Sequence, residues 1–338
     1  MKTKKKSKLP VRACDLFAGV GGSSLGATQA GVSVVAAVDN WDLAESTYLD
    51  NFKGVTYYRD RCENLDPAEL LKNVGPIQLL LASPECTNHT CAKGNSERSE
   101  RSRRTALQVV RFAAVLKPRW IVVENVVHMR GWHRYYEWIA QLLHLGYNAR
   151  VQVLNAADFG VPQARRRLFV ICDRKRIPPR IVASNRSKLR TASAIINPNG
   201  KYRFSPLEET GRAPDTLLRA NRAIKSLGGK ASFLIVYYGT DGAGGWQRVD
   251  VPLRTITTID RFAYVRPSAS GYELRMLQVP ELKGAMGFPG GFKLERGTRR
   301  DRIKLLGNAV CPAVMKAIVA RLLHSDEGLQ GINGNGIR

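Results

Sequence analysis

Short apolar runs alternate with stretches of helical spacing through the first half of the chain. The runs that read as buried strands cover 11–17, 32–38, 55–58, 77–82, 120–123, 149–154 and 168–172. Segments between them, such as 105–116 and 135–145, repeat apolar residues every three or four positions, as an amphipathic helix does. This alternation predicts a doubly wound α/β domain over residues 11–173, with a parallel sheet covered by helices on both faces.

Beyond residue 173 the regular pattern gives way to sequence rich in proline, arginine and asparagine. Segments such as RKRIPPR at 174–180 indicate a domain boundary there. We predict a small, irregular second domain over 174–250 and a return to the first domain over 251–325, ending in an amphipathic helix. We also expect a basic arm at 1–10 and a flexible tail at 326–338.

The chain carries a large excess of positive charge. Its 53 Lys and Arg residues against 28 Asp and Glu residues give a net charge of +25, which indicates a polyanionic partner, either nucleic acid or an anionic membrane surface. No run of about 18 apolar residues occurs, and the basic start lacks the apolar stretch of a signal peptide. We therefore expect a nucleic-acid partner and no membrane partner.

The six cysteines are scattered without a CxxC pair, which is typical of a protein in a reducing cytosol rather than of a disulfide framework. Cys86, His89 and Cys91 could form half of a metal site, but no second pair of ligands follows at a suitable spacing. We expect no metal ion.

The residues that follow the predicted strands outline a candidate ligand site, because ligands of α/β sheets bind outside the carboxyl ends of the strands. These residues are 17–22, Asp39, Asp60, 83–86 and Glu124. The glycines in 17–22 allow a tight turn that a ligand can approach, and Asp39 is placed to accept hydrogen bonds from a ribose. This favours a nucleoside-containing cofactor; a plain glycine link between strand and helix is the alternative.

Cys86 follows the fourth predicted strand among polar neighbours, which favours a thiolate nucleophile over the usual fate of a free cysteine as a small buried residue. The polar stretch after it suits phosphate binding, with a solvated charged face as the ordinary alternative. Its basic residues are Arg98, Arg101, Arg103 and Arg104. Glu124 is either an acid or a cap of the next turn.

Three consecutive arginines, at 165–167, precede the last strand of the first domain. At least one of them should face the site, because strand alternation cannot send all three to solvent.

Several of these segments are motifs that recur in a fixed order in one enzyme family. They are DLFAGVGG at 15–22, Asp39, Asp60, SPEC at 83–86, ENV at 124–126, GVPQARRR at 160–167, RTITT at 254–258, MGFP at 286–289 and GNAV at 307–310. Together they resemble the ordered motif set of the DNA cytosine-5 methyltransferases, over residues 11 to about 323.

The resemblance implies a Rossmann-like catalytic domain that binds S-adenosyl-L-methionine, with 174–250 as the target-recognition region. It implies methyl transfer to C5 of a cytosine flipped out of double-stranded DNA, through a covalent cysteine adduct at C6. By motif position Cys86 is the nucleophile, Glu124 holds or protonates N3, and Arg165 binds O2, with Arg167 close by.

The resemblance also implies binding residues. Those for the cofactor are Phe17, Gly19, Gly21, Gly22, Asp39, Asn40, Asp60, Pro84, Asn308 and Val310. Those for DNA are Arg98, Arg101, Arg103, Arg104 and Gln163.

One departure from the family concerns the nucleophile motif, where Glu85 and Thr87 flank Cys86 in place of the usual proline and glutamine. It keeps open a DNA-binding homologue with impaired catalysis. RNA methylation by the same fold is another alternative, disfavoured by the separate recognition region. We further expect a monomer in the cytoplasm or nucleoid of a bacterium or phage host, and a cognate restriction endonuclease that acts separately.

Overall fold

The computed structural model describes residues 10–84, 100–183, 189–198, 202–238 and 241–330, those at 100–104 and 326–330 by their backbone alone. The strands in this part of the chain are β1 (Arg12–Leu16), β2 (Ser33–Val38), β3 (Thr56–Tyr58), β4 (Leu79–Ala82), β5 (Trp120–Asn125), β6 (Asn148–Asn155), β7 (Gln163–Ala164), β8 (Arg166–Asp173), β9 (Ser205–Pro206), β10 (Phe233–Val236), β11 (Trp246–Arg248), β12 (Leu253–Arg254), β13 (Phe262–Ser268) and β14 (Gly271–Met276). The α-helices are α1 (Gly22–Gln29), α2 (Asp42–Asn51), α3 (Pro67–Val74), α4 (Glu100–Leu116), α5 (Tyr135–His144), α6 (Pro214–Leu227), α7 (Val279–Ala285), α8 (Arg299–Asn308) and α9 (Pro312–Gln330).

The chain divides into two units, each built from separate stretches of sequence. The first unit comprises Met1–Leu154, Arg167–Ala183 and Pro312–Arg338, and the second comprises Asn155–Arg166 and Ser184–Cys311. The second unit therefore includes 155–166 and 251–311, which the sequence pattern assigned to the first domain. The chain returns to the first unit at Pro312 rather than at residue 251.

The first unit contains a seven-stranded sheet in the order β3-β2-β1-β4-β5-β8-β6. Strands β3, β2, β1, β4 and β5 are parallel, as the alternating pattern predicts. Strand β8 is an exception, since it runs antiparallel to β5. The strand order reverses direction between β1 and β4, and in open α/β sheets such a switch point forms the ligand crevice.

Both faces of this sheet are buried. One face packs against α3, α4 and α5 in a core that includes Phe112 and Trp138, while residues of the opposite face, such as Leu79 and Leu81, are also buried. Because all four residues of β4 are apolar and covered, this strand reads as a continuous apolar run instead of an alternating one.

Helix α9 packs against α1 within the first unit. The contact depends on Gly26 in α1, where an added Cβ would lie 2.4 Å from the carbonyl oxygen of Pro312 and 2.7 Å from Cβ of Met315. By length and composition the stretch Arg299–Ser325 could cross a membrane, yet 67% of its apolar window is buried inside the protein. This is the burial expected of core helices, and the stretch comprises two of them, α8 and the first part of α9.

The second unit is more regular than its sequence pattern indicates. It holds a five-stranded antiparallel sheet in the order β11-β10-β13-β14-β9. Helix α6 packs on this sheet through Ala220 and Ala223, in a core with Phe233 and Val265. A short parallel pair, β7 with β12, lies in the same unit.

Candidate active site

The turn after β1 has an unusual backbone. Phe17, Gly19 and Gly21 all have positive φ angles, of 58°, 52° and 86°. A Cβ at Gly21 would lie 2.3 Å from the ring of Phe52, whereas a Cβ at Gly19 would meet nothing within 4 Å. Gly21 is therefore needed for packing, and Gly19 leaves an open cradle beside the backbone. A left-handed phenylalanine costs about 1–3 kcal/mol, and such strain concentrates at ligand sites.

Asp39 connects the end of β2 to this turn. One carboxylate oxygen accepts a hydrogen bond from the Gly19 N–H at 2.9 Å, and the other accepts one from the Trp41 N–H at 3.0 Å. Burial raises the pKa of Asp39, and these backbone donors act against that rise. Each carboxylate oxygen can accept a further bond. Asp39 can therefore hold the turn and still accept a hydrogen bond from a ligand.

A buried polar cluster next to this turn joins Asp15, the first residue of the DLFAGVGG motif, to Ser24 and Tyr48, neither of which was predicted as a site residue. The Asp15 carboxylate accepts hydrogen bonds from Ser24, at 2.6 Å from Oγ and 3.1 Å from the backbone N–H, and the Tyr48 hydroxyl donates to Ser24 Oγ at 2.8 Å. Burial is the main cause that raises the pKa of Asp15 to about 7. The sequence signal of this cluster is an aspartate inside a buried strand, followed by serines in the next helix.

We predict that Asp15→Asn removes part of the pH dependence of stability. The folded pKa of Asp15 is about 7 against an ordinary value of 3.8, so between these values the folded state holds a proton that the unfolded chain releases. Its free energy of unfolding therefore falls as pH rises through this window. Denaturant unfolding between about pH 5 and pH 8 should show the variant gaining on the wild type as pH rises; parallel pH curves would contradict this.

Hydrogen bonds join the carboxyl ends of three neighbouring strands, with the segment after β4 bonded both to the residue after β1 and to the last residue of β5. Ser83 Oγ donates to the carbonyl of Phe17 at 2.9 Å, and Asn125 Nδ2 donates to the carbonyl of Pro84 at 3.2 Å. Asn125 and Pro84 are both buried. These bonds therefore fix the backbone of Ser83 and Pro84, the first two residues of the SPEC motif.

Glu124, at the end of β5, forms a buried ion pair. Its carboxylate oxygen Oε1 lies 3.2 Å from Nε of Arg167 on β8, and the residue is 6% exposed. An arginine beside a buried carboxylate neutralises its charge and fixes its orientation. Arg167 is thus held by Glu124 and does not point freely into solvent, unlike the exposed Arg166.

Gln163 and Arg165 are buried in the second unit and bond to its backbone. Gln163 is fully buried, accepts from the Ile256 N–H at 2.9 Å and donates to the carbonyl of Ala285 at 3.1 Å. These bonds hold the Gln163 side chain inside the unit, and its predicted DNA contact stays a prediction. Arg165 is 3% exposed and donates to three carbonyls, those of Ile256, Gly307 and Ala309.

The remaining predicted residues lie in varied settings. Asp60 is exposed, and its Oδ1 accepts from the Arg61 N–H and from Asn64 Nδ2, both at 2.7 Å. Asn40 and Asn308 are exposed, and Val310 is buried.

Two groups of predicted residues lie wholly or partly outside the described residues. Cys86 and Arg98 lie outside the described residues, and Arg101, Arg103 and Arg104 belong to the first turns of α4, described by backbone alone. In the described part of the chain no cluster of three His, Cys, Asp or Glu side chains could hold a metal ion; the candidate half-site at Cys86, His89 and Cys91 lies outside that part.

Comparisons with known proteins agree with the motif order. The family model of the C-5 cytosine-specific DNA methylases matches residues 11–324. The Type II methyltransferase M.HindV of Haemophilus influenzae is 26% identical over 94% of this chain and 98% of its own length. M.HgiDI of Herpetosiphon aurantiacus is 36% identical, but the alignment spans 48% of this chain and 52% of that protein. The solved methyltransferase EhMeth of Entamoeba histolytica shares the fold, with a TM-score of 0.71 and 16% identity over 94% of this chain and 99% of that one.

Proposed function

The chain belongs to the C-5 cytosine-specific DNA methylase family, and we propose that it methylates C5 of a cytosine that it flips out of double-stranded DNA, with S-adenosyl-L-methionine as the methyl donor. The observation that carries the proposal is the group of polar residues at the carboxyl ends of the parallel strands of the first unit. There, Asp39 bonds to the turn after β1, Asn125 bonds to the exit of β4, and Glu124 pairs with Arg167. In open α/β sheets ligands bind outside the carboxyl ends of the strands, so polar groups at this edge are placed to bind both the cofactor and the target base.

The residues after β1 and β2 fit a nucleoside cofactor. The open space at Gly19 admits a ligand against the backbone, and the Asp39 carboxylate keeps acceptor capacity for ribose hydroxyls. Phe17, Gly21 and Gly22 complete the turn. We assign Asn40, Asp60, Pro84, Asn308 and Val310 to the same ligand by motif position. When bound, S-adenosylmethionine supplies an electrophilic methyl group on a sulfonium.

Cys86 is the proposed nucleophile. Cytosine C5 is a poor nucleophile. Addition of the Cys86 thiolate to C6 forms a C6–S bond and turns the C5–C6 double bond into a single bond, which leaves an enamine over C4 and C5 that is nucleophilic at C5. C5 takes the methyl group, and the donor leaves as S-adenosylhomocysteine. Transfer of the C5 proton to a base and expulsion of the thiolate from C6 then restore the aromatic ring and the free cysteine. Since C6 is covered inside a duplex, the target base must leave the stack.

Glu124 and Arg167 are the proposed partners of the base. Glu124 holds a proton at N3, which offsets the negative charge that thiolate addition drives into the ring. Arg167 shares the ion pair with Glu124, so we assign the O2 contact to Arg167 in place of Arg165, whose side chain is bonded to three backbone carbonyls. Both terminal nitrogens of Arg165 take part in those bonds.

DNA binding is proposed to draw on the charge of the chain. A net charge of +25 fits neutralisation of backbone phosphates, and we assign phosphate contacts to Arg98, Arg101, Arg103 and Arg104. The relatives are Type II methyltransferases, which supports modification of DNA alongside a separate restriction endonuclease. A monomer in the cytoplasm, near the nucleoid, is part of the same proposal.

Asp39→Ala is expected to weaken cofactor binding by roughly 1–3 kcal/mol. Without the carboxylate, the ribose hydroxyls would have no hydrogen-bond acceptor in a site that is partly shielded from water. The affinity for DNA without cofactor should change little. Calorimetry with S-adenosylhomocysteine measures the effect. An unchanged cofactor affinity would remove Asp39 from the site.

Transfer of a labelled methyl group to matched DNA and RNA substrates tests the function as a whole. We expect incorporation into duplex DNA and none into RNA of the same sequence. Incorporation into RNA alone would contradict the proposal.

A further inference from the structure

Basic residues surround Asp173, the last residue of β8, at one edge of the first unit's sheet. We call them the Asp173 patch, and its members are Lys117, Arg119, Arg174, Lys175 and Arg176. All of them belong to the first unit, and Lys117, Arg174 and Lys175 are exposed. The patch therefore sets five positive charges against the one negative charge of Asp173.

The Asp173 carboxylate orders the patch from within. It is fully buried, and its oxygens lie 3.0 Å from Nε of Arg119 and 3.7 Å from Nε of Arg176. It also accepts hydrogen bonds from the Lys175 N–H at 2.8 Å and from Trp120 Nε1 at 3.0 Å. A carboxylate with several charged and neutral donors is fixed in orientation, so the basic residues around it are attached to a rigid point of the sheet.

Arg174 connects the two segments that form the patch. Its N–H donates to the carbonyl of Arg119 at 3.1 Å, and its Nη1 lies 3.5 Å from the carbonyl oxygen of Lys117. Its guanidinium also lies 5.7 Å from the centre of the Tyr147 ring. These contacts hold a long side chain near one position, which lowers the entropy lost when it binds an anion.

The patch lies at the edge of the sheet opposite to the candidate active site. Strand β8 is antiparallel to β5, so Asp173 lies beside Trp120 at the start of β5, whereas Glu124 lies near its end, beside Phe169. Trp120 and Glu124 are separated by about 13 Å of extended strand, and every residue of that strand is buried. An anion bound at the patch therefore lies across the sheet from Glu124.

We propose that the Asp173 patch binds the phosphate backbone of a second segment of duplex DNA, separate from the segment whose cytosine is methylated. This inference rests on the proposed function, which makes DNA the substrate. Arginine and lysine side chains supply many of the contacts that proteins make to DNA phosphates, and such contacts do not depend on base sequence. The chain would thus hold one segment of DNA while its catalytic edge engages another.

An anionic membrane surface fits the patch less well than DNA does. Proteins that bind at a membrane surface typically use an amphipathic helix with a broad apolar face. Residues 174–183, which carry three of the five basic residues, form neither a helix nor a strand. The charge of the patch therefore comes without the apolar face that a membrane would require.

The test measures how binding to a short duplex of arbitrary sequence depends on salt, without cofactor. The double variant Arg174→Gln/Lys175→Gln changes two exposed side chains, and thermal unfolding checks that it folds. Loss of two phosphate contacts should reduce the slope of log K against log salt by about 2. Between about 50 and 200 mM salt, the rise in Kd should then be roughly tenfold smaller for the variant than for the wild type.

The matched control is Lys316→Gln/Arg321→Gln. These residues are exposed on α9 in the same unit, and their replacement removes the same charge, so the salt slope should stay at the wild-type value. An unchanged slope in Arg174→Gln/Lys175→Gln, or an equal reduction in the control, would overturn the proposal. Binding to phosphatidylglycerol vesicles that the patch variant loses, with an unchanged DNA slope, would overturn it in favour of a membrane partner.

A capture experiment tests for the second segment of DNA. The wild-type chain bound to an immobilised duplex should retain a labelled free duplex, and the patch variant should retain much less of it at equal loading. Equal retention by the two proteins would overturn the proposal. Failure of the proposed function has a different signature, because the wild-type chain would then transfer no labelled methyl group to DNA, while the salt slopes and the retained duplex would still decide the role of the patch.

Discussion

Cys86→Ser is expected to abolish methyl transfer, with a fall in kcat of roughly 10⁴-fold or more, the scale on which covalent enzymes lose activity without their nucleophile. A serine hydroxyl is far less acidic than a thiol and a weaker nucleophile toward C6 at neutral pH. Binding of DNA and of S-adenosylhomocysteine should persist, because neither depends on the thiolate. Single-turnover methylation and equilibrium binding measure the two effects separately.

Cys91 is the matched control for this prediction. It lies five residues beyond Cys86 in the same polar stretch of sequence, and Cys91→Ser should retain activity. A dead Cys91→Ser with an active Cys86→Ser would show that the nucleophile is misassigned.

Glu124→Gln should lower kcat by roughly 10²–10⁴-fold, the range for loss of a group that manages a proton in the transition state. The amide matches the carboxylate in size and can still accept a hydrogen bond from Arg167, so the fold should survive. It cannot supply a proton to N3. Steady-state kinetics with duplex DNA gives kcat, and the Kd for S-adenosylhomocysteine should not change.

Glu137 provides the control for the Glu124 prediction. It pairs with Arg134 through a partly exposed side chain on α5, so Glu137→Gln should leave kcat unchanged. Wild-type kcat in Glu124→Gln would remove Glu124 from the chemistry.

The parallel strands of the first unit are predictable because each is a short apolar run that ends in a turn signal. The pattern at 32–38 corresponds to β2 (Ser33–Val38), and the pattern at 120–123 to β5 (Trp120–Asn125). Helix α3 was not predicted, although Asp66 caps it, Pro67 begins it and Gly75 ends it. These start and stop signals frame only eight residues, too few for apolar spacing to stand out.

The second unit was harder to predict because its sheet joins short strands from distant parts of the sequence. Strand β9 has two residues and pairs with β14, and neither length nor periodicity marks such a strand. The antiparallel direction of β8 against β5 likewise depends on how the chain crosses the sheet, which local pattern does not encode.

The candidate site could be predicted only in part. Motif order identified the residues at the strand exits, including Asp39 and Glu124, because their positions follow from where strands end. It did not distinguish Arg165 from Arg167, since the partners of Arg165 lie about 90 and 140 residues farther along the chain. Motif position also could not show that the Gln163 side chain, predicted to contact DNA, is fully buried.

Base-resolution sequencing of DNA from cells that express the chain tests the central claim most directly, with Cys86→Ser as the matched control. The account predicts 5-methylcytosine at a fixed sequence context in cells with the wild-type chain and none above background in cells with the variant. An absence of 5-methylcytosine with the wild type, or an equal level with the variant, would contradict the account.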